Sequence, residues 1–559
     1  MRSIPTWLKV GAGVGVGLVA LEAFRGRRTV PVSVLEGGWC GTYSVRPQSA
    51  FRALLAEVPA PVTPTVATLS EERWDALRQD FLGLGHTVFV APWPGREAVT
   101  TRRVYLDAAA TSLMPRKVWR GIERYLETSP ANAHTHANAA GRATTMAIER
   151  SRALVGEFVG ADPATDLVVF VGQGTTGAAN RLARALFGAG VEVPLESHGA
   201  NLVIRPRASG DRDLVVISSM EHHSGMLPWI GAVGYDRMRF FGLRPDGTLD
   251  MDDLQRVLDR EGPRVRVVVV TGVSNVTGVI NPIHEVARRA HAVGAEVAVD
   301  AAQMAPHVPV SMHPAGDAEG HIDHLMLSGH KLYAPGSPGV LVTSVRTFPA
   351  TRVYGDLGGG AVEYVALDMA RFKAAACDRE EAGTPNIPGT IGLGLATGLL
   401  LGVGMDRVRV HEAGLVEYAF DRLADVPEVT VYGPTDLRRV PRSGVVAFNV
   451  QGLPHWLVAA ALDDYFGIAV RNDCFCAQPY VRAQLGDNRA VPQGMPGMVR
   501  ASFGLFTTRE DIDTWVDALR QLIAQRAYVI AQYDLNEAGG WTHRTWHGES
   551  PFSLDDDLA

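Results

Sequence analysis

The 559-residue chain carries 53 basic side chains against 60 acidic ones, a net charge of −7, too close to balance for a broadly basic nucleic-acid binder. Hydrophobic residues at 46%, with 59 glycines and 33 prolines, exclude a low-complexity chain and leave material for two packed domains plus extensions. The four cysteines, Cys40, Cys377, Cys474 and Cys476, are too few and too unevenly spaced for a disulfide framework and suit a reducing, cytoplasmic setting.

The first feature along the chain is an uncharged run of 12 residues, Val10 to Leu21, shorter than the ~18 apolar residues a spanning helix needs. Arg2 and Lys9 precede it, and Arg25, Arg27 and Arg28 follow. Residues 7–24 therefore read as a weak membrane anchor, a signal-like segment, or an extension of 1–30 with no membrane role; the trailing arginines favour cytoplasmic retention. Residues 31–103 form a proline-punctuated arm with one helix predicted over Glu71 to Leu84.

From Val104 the texture becomes short apolar runs alternating with helical patterns, the signature of βαβ units and a mostly parallel sheet. Strands are predicted at Leu167–Val171, Leu214–Ser218, Met238–Phe241, Val265–Thr271, Glu296–Asp300, His324–Ser328 and Gly339–Thr343, with helices at Thr176–Phe187, Met251–Arg260 and Ile283–Val293. Between Val191 and Asp213, Pro194 and Pro206 leave no clean strand. The large domain is placed at 104–389. A smaller α+β domain follows over 390–530, with two helices after Thr390, strands at Gly444–Val450 and Ile468–Val470, and a last helix from Arg509 to Arg526; an acidic tail occupies 531–559.

Two local patterns carry chemistry. Gly172-Gln-Gly174-Thr175-Thr176-Gly177 follows a strand and opens a helix, where glycines and free N–H groups form an anion cup. A dinucleotide would also want an acidic residue about 20 positions on, and none is suitably placed, so a phosphate or a purely structural turn remains. The second pattern, Ser328-Gly329-His330-Lys331, ends a strand and presents one of only four lysines in the chain. Pyridoxal phosphate needs a lysine amine, a phosphate cup and an acid for its ring nitrogen. Asp300 at the end of its strand could supply the acid, and Glu221-His222-His223 places an imidazole nearby. Solvated loop histidines and a surface lysine are the competing readings.

In their order, Tyr105-Leu-Asp-Ala-Ala-Ala-Thr111, Gly174-Thr-Thr176, Glu221-His-His223, Val273-Ser-Asn-Val-Thr-Gly278, Val299-Asp-Ala-Ala-Gln303, Ser328-Gly-His-Lys331, Glu381-Ala-Gly-Thr-Pro-Asn386, Cys476-Ala-Gln-Pro479 and Val499-Arg-Ala-Ser502 resemble the class V aminotransferase family. Within these fold-type I pyridoxal phosphate enzymes, they resemble the cysteine desulfurases and selenocysteine lyases. The resemblance spans about Glu71 to Gln525. It implies an α/β fold with a large, mostly parallel seven-stranded sheet domain and a smaller C-terminal α+β domain.

It also implies that Lys331 attaches the cofactor, Asp300 pairs with the pyridine nitrogen, Gln303 bonds the ring hydroxyl and His222 stacks on the ring. Gly174, Thr175, Thr176, Ser328 and His330 would hold the phosphate, with Thr384 reaching in from a neighbouring copy in a homodimer. Asn275 and Arg500, and Arg471 near the mobile loop, would bind the substrate carboxylate. Cys476 would attack the sulfur of L-cysteine, keep it as a persulfide and release L-alanine, with a protein then accepting the sulfur.

The chain departs from the pattern around the substrate. Asp473-Cys-Phe-Cys476 stands where Gly-His-His precedes the nucleophile, adding a second thiol that could relay sulfur or form a disulfide, and the step from Cys476 to Arg500 is longer than in compact desulfurases. Asn132-Ala-His134-Thr-His136 lacks an arginine common there. A branch of class V-type proteins with a Cys-x-Cys-Ala-x-Pro-Tyr loop is closer still. The alternatives are an aminotransferase, epimerase or β-eliminating lyase with Cys476 as bystander, or a membrane-associated protein without catalysis. No metal is expected, since Cys474 and Cys476 lack further ligands at a zinc spacing.

Overall fold

The computed structural model describes residues 69–192, 203–206, 211–367, 369–486, 496–536, 540–548 and 552–554. The N-terminal run, most of the arm and the Asp555–Asp557 end lie outside them. Among the described residues, no single helix is long and apolar enough to cross a membrane.

The centre is a seven-stranded sheet. Its strands are β1 (Asp166–Val171), β2 (Leu214–Ser218), β3 (Met238–Phe241), β4 (Val265–Thr271), β5 (Glu296–Asp300), β6 (His324–Ser328) and β7 (Gly339–Ser344), in the order β1-β7-β6-β5-β4-β2-β3. Only β7 runs antiparallel to its neighbours; the β2, β3, β4, β5 and β6 pairings are parallel. β4 reads VRVVVVT and buries every residue but Arg266, as expected of a strand covered by helices on both faces. The seven predicted strands are all present, each within a residue of its expected ends.

Helix α1 (Gly174–Phe187) leaves β1 and α2 (His223–Val233) follows β2. After the sheet, α3 (Ile387–Val403) is buried on nearly every face. Its glycines permit this: a Cβ on Gly394 would overlap Ser151 of the helix Ala139–Phe158. Helix α4 (Met405–Ala424) then enters the smaller domain, whose antiparallel sheet is β8 (Val429–Val431), β9 (Val445–Val450), β10 (Arg471–Asp473) and β11 (Met498–Ser502), in the order β8-β9-β11-β10. Composition had not marked β8, β10 or β11 as strands.

Three expectations need correction. The helix at Glu71 stops at Gln79, because Leu82 N–H bonds Met114 O at 2.8 Å and Phe81 bridges to Pro115, pulling the backbone away before Leu84. The stretch Val191 to Asp213, expected to lack a clean strand, holds the end of Ala189–Glu192 and all of Val203–Pro206, which pair antiparallel; Pro206 sits at the strand terminus, where proline is tolerated. The last helix is two, Arg509–Ala524 and Arg526–Gln532. The arm also packs into both domains: Trp74 and Phe81 join the large core, while Ala91 and Trp93 join the small one.

Candidate active site

The carboxyl ends of the parallel strands open into one cavity of about 680 Å³, within the range of cofactor sites. Every residue expected to hold the cofactor, bind the substrate or react lines it except Thr384. Strand topology explains the gathering, since β1, β2, β4, β5 and β6 deliver Gly174, His222, Asn275, Asp300 and Lys331 to the same sheet edge.

At the start of α1, Gly174 has a left-handed φ of +54°, and a Cβ there would lie 2.9 Å from Ser328 Oγ. Glycine therefore lets the turn after β1 close against the end of β6. Ser328 Oγ accepts from Thr175 N–H at 3.0 Å and lies 2.9 Å from Thr175 Oγ1, while Thr176 Oγ1 donates to Ser224 Oγ at 2.7 Å. The result is a cluster of hydroxyls and first-turn N–H groups suited to an anion. His330 faces the same cavity, and burial drives its pKa down to about 4.

Lys331 is half-buried and lines the cavity. Burial, reinforced by Arg500, lowers its pKa to about 8, so about a tenth is neutral amine at pH 7. Its Nζ donates to Gln303 Oε1 at 3.4 Å. Asp300 is buried with its pKa raised by desolvation, and its Oδ1 accepts from Ala302 N–H at 2.9 Å. A Cβ on Gly225 would lie 2.9 Å from Glu221 Oε2 and 3.4 Å from Asp300 Oδ2, so two carboxyl groups share the space that glycine leaves. Glu221 Oε1 accepts from Ser218 Oγ at 2.5 Å and Thr271 N–H at 2.6 Å. Oε2 has no partner, and desolvation raises the pKa to about 8. His222 caps α2 by accepting from Ser224 N–H on Nδ1 at 3.0 Å. Burial and Lys331 hold its pKa near about 3, leaving a neutral ring beside the amine.

The opposite wall comes from the small domain. Arg500 on β11 is 3% exposed; its Nη2 lies 3.2 Å from Asp107 Oδ1 and its Nη1 donates to Asn275 O at 2.9 Å. Arg471 pairs in register with Arg500 on β10. The next loop is unusual: Asp473, Phe475 and Cys476 have left-handed φ values of 99°, 52° and 55°, each costing about 1–2 kcal/mol outside glycine. Two contacts hold it, Asn275 Nδ2 to Phe475 O at 2.7 Å and His223 N–H to Cys476 O at 2.6 Å. The Phe475 ring lies under the Arg500 guanidinium at 4.8 Å. Cys476 is exposed toward the cavity, whereas Cys474 is buried and its thiol is pushed up by desolvation.

Thr384 is exposed and away from the cavity of its own chain, 3.4 Å from Asn132 Nδ2. Three participants carried no sequence expectation of a role. Asp107 and Phe475 depend on contacts across the fold, and Glu221 is distinguished only by complete burial. The signal for Asp107 was its place in the Tyr105–Thr111 run.

The described residues fit pyridoxal phosphate: a hydroxyl-lined cradle that a Cβ at Gly174 would fill, an amine of lowered pKa, and a buried carboxyl at the far end. Comparison with known proteins agrees. The family described as aminotransferase class-V matches residues 104–515. A probable cysteine desulfurase of Halalkalibacterium halodurans is 34% identical over 421 residues, 75% of this chain and 92% of that protein. A cysteine desulfurase of Dickeya dadantii is 35% identical over 75% of this chain and 91% of its own length. The solved apo cysteine desulfurase of Thermococcus onnurineus superposes with a TM-score of 0.63 at 31% identity, covering 76% of this chain and 95% of that one.

Proposed function

The chain belongs to the class-V aminotransferase family, and from that premise we propose that it is a pyridoxal-phosphate-dependent cysteine desulfurase, converting L-cysteine to L-alanine and keeping the sulfur as a persulfide on Cys476. The observation that carries the reading is the meeting, in one cavity, of the Lys331 amine with the exposed Cys476 thiol.

In this reading the first turn of α1, with Thr175, Thr176, Ser328 and His330, takes the phosphate. Asp300 takes the ring nitrogen, His222 the ring face, Gln303 the ring oxygen and Lys331 the aldehyde carbon. Bound pyridoxal phosphate supplies an electron sink for the pair released at the substrate α-carbon. Arg500 grips both carboxylate oxygens of L-cysteine with its planar fork; Asp107 orients that fork, and Asn275 and Arg471 flank it. Lys331 Nζ, near its own pKa at neutrality, takes and returns the α-carbon proton. Cys476, as thiolate, attacks the substrate sulfur: a sulfur–sulfur bond forms, the carbon–sulfur bond breaks with its electrons going to carbon, and protonation of that carbon yields alanine. The exposed position of Thr384 beside Asn132 suits a role in the site of a second copy, hence a homodimer, and a second protein would collect the sulfur.

The test is one assay on L-cysteine under reductant, quantifying alanine, pyruvate and sulfide for wild type and Cys476→Ala. Equal alanine and sulfide, falling by about 100-fold or more in the variant, is the expected result. Pyruvate, or alanine that survives the substitution, overturns it.

A further inference from the structure

Behind Lys331 a single buried line of polar groups connects the two domains. Lys331 Nζ donates to Gln303 Oε1 at 3.4 Å, and Gln303 Nε2 lies 3.1 Å from His307 Nε2. On the far side of the ring, His307 Nδ1 is 3.0 Å from Glu412 Oε1 and 2.9 Å from Oε2. Glu412 belongs to α4 and also accepts from the Gly444 N–H just before β9. Gln303, His307 and Glu412 are 3%, 1% and 1% exposed.

The donor count allows this line one direction. An ammonium has donors and no acceptor, so Gln303 meets it with its carbonyl and turns its NH₂ to His307. His307 Nε2 must then accept, which leaves the ring hydrogen on Nδ1, where the Glu412 carboxylate receives it. Packing alone gives no reason for such a trio, because buried charged and polar groups can often be replaced by apolar side chains of similar volume at no loss of stability. The line instead ends on the lysine and begins in the domain that carries Arg500 and Cys476.

We infer that His307 and Glu412 are positioning residues: acting through Gln303, they fix its amide with the carbonyl toward Lys331. Neither touches the cavity. The inference rests on Lys331 being the reactive lysine. A fixed carbonyl favours the charged amine; if the amide turns over, its NH₂ faces the ammonium and the charged form is disfavoured. The other groups facing Lys331 are Arg500, Asp300, Asp107 and Cys476, and the buried Tyr333 hydroxyl is the further neighbour of Glu412. None of these is altered in the variants below.

The test is the pH dependence of Lys331 acetylation by acetic anhydride in the full-length, cofactor-free chain, read by peptide mass spectrometry. In His307→Leu/Glu412→Leu the labelling midpoint is expected to fall by about half a pH unit or more. His307→Gln, whose amide can accept from Gln303 and donate to Glu412, retains the wild-type midpoint whatever its melting temperature. A folded double variant with an unshifted midpoint overturns the proposal, as does a His307→Gln midpoint that falls equally. If the double variant does not fold, His307→Leu decides: it removes the acceptor of the Gln303 NH₂, so a fall in the midpoint supports the proposal and no fall overturns it. In the loaded protein, the pH midpoint of the bound cofactor's absorbance is expected to move in the same variants. Borohydride trapping of pyridoxal phosphate on wild-type Lys331 reports separately on the functional reading, because the acetylation midpoint needs no cofactor.

Discussion

The two walls of the cavity are built on different principles. On the sheet side, Gly174, His222, Asp300, Ser328 and Lys331 stand at strand ends whose positions are set by a continuous apolar core. On the small-domain side, Cys476 sits in a short loop of left-handed residues, held by hydrogen bonds and by the Phe475 ring under Arg500. The first wall takes its atom positions from strand ends, with one left-handed residue other than glycine, Tyr333 at a φ of 59°, just past Lys331. The second spends backbone strain to bring a thiol forward, and strain of this kind collects at functional sites. Placement by topology and placement by tension should fail in different ways.

The sharpest break comes from Lys331→Ala. Lys9, Lys117 and Lys373 are the other lysines, and among the described residues none of them lines the cavity. Loss of the bound cofactor's visible absorbance is expected, with a fall in alanine formation of about a thousandfold or more; a spectrum that persists would remove the sheet wall from the chemistry. Gly174→Ala comes next. It puts a side chain at φ +54° and a carbon 2.9 Å from Ser328 Oγ, at a cost of about 1–2 kcal/mol. Titration with pyridoxal phosphate should show about tenfold weaker binding.

For the loop, Phe475→Gly relieves the left-handed backbone by about 1 kcal/mol but removes a ring that is 7% exposed and packed in the large core, at about 3–5 kcal/mol. Chemical denaturation should find a loss of about 2–4 kcal/mol, and alanine formation under conditions where the variant stays folded drops about tenfold. Unchanged alanine formation by the folded variant would mean that the ring does not set where the thiol lies. The smallest effect is expected at Glu221. Its folded pKa, about 8 against an ordinary 4.5, means that the native state holds a proton the unfolded chain releases between those values, so its contribution to stability falls as pH rises across that window and is flat above it. Ser218, Thr271 and Asp300 are the groups that face it. Glu221→Gln should therefore raise the melting temperature by about 2 °C near the upper end of the window and leave it unchanged below the lower end, as thermal scans across pH would read.

The sequence revealed the same division between the walls. Runs such as Val265–Thr271 and Glu296–Asp300 are Val-rich and bounded by polar turns, so the seven strands and their cofactor-facing ends could be read from local pattern. β11 could not: Met498-Val-Arg-Ala-Ser502 has an arginine at its centre, and what makes it a strand is pairing with β9 and β10. The Asp107–Arg500 contact joins residues 393 apart in sequence, and no spacing announces it. The burial of Glu221 and the Gln303–His307–Glu412 line are likewise properties of packing. Prolines misled at 191–213, where Pro206 closes a strand instead of preventing one.

The two contacts that seat the Cys476 loop both end on carbonyl oxygens of the loop, at Phe475 and Cys476. Every amino acid has that atom. These two anchors are therefore indifferent to which side chains the loop carries, provided the backbone can bend as it does, while Phe475 adds a hold through its ring. A chain can exchange the other loop residues, adding a second thiol or removing an imidazole, while the nucleophile stays where it was. Sulfur handling could thus be altered one side chain at a time on a mounting that does not need rebuilding.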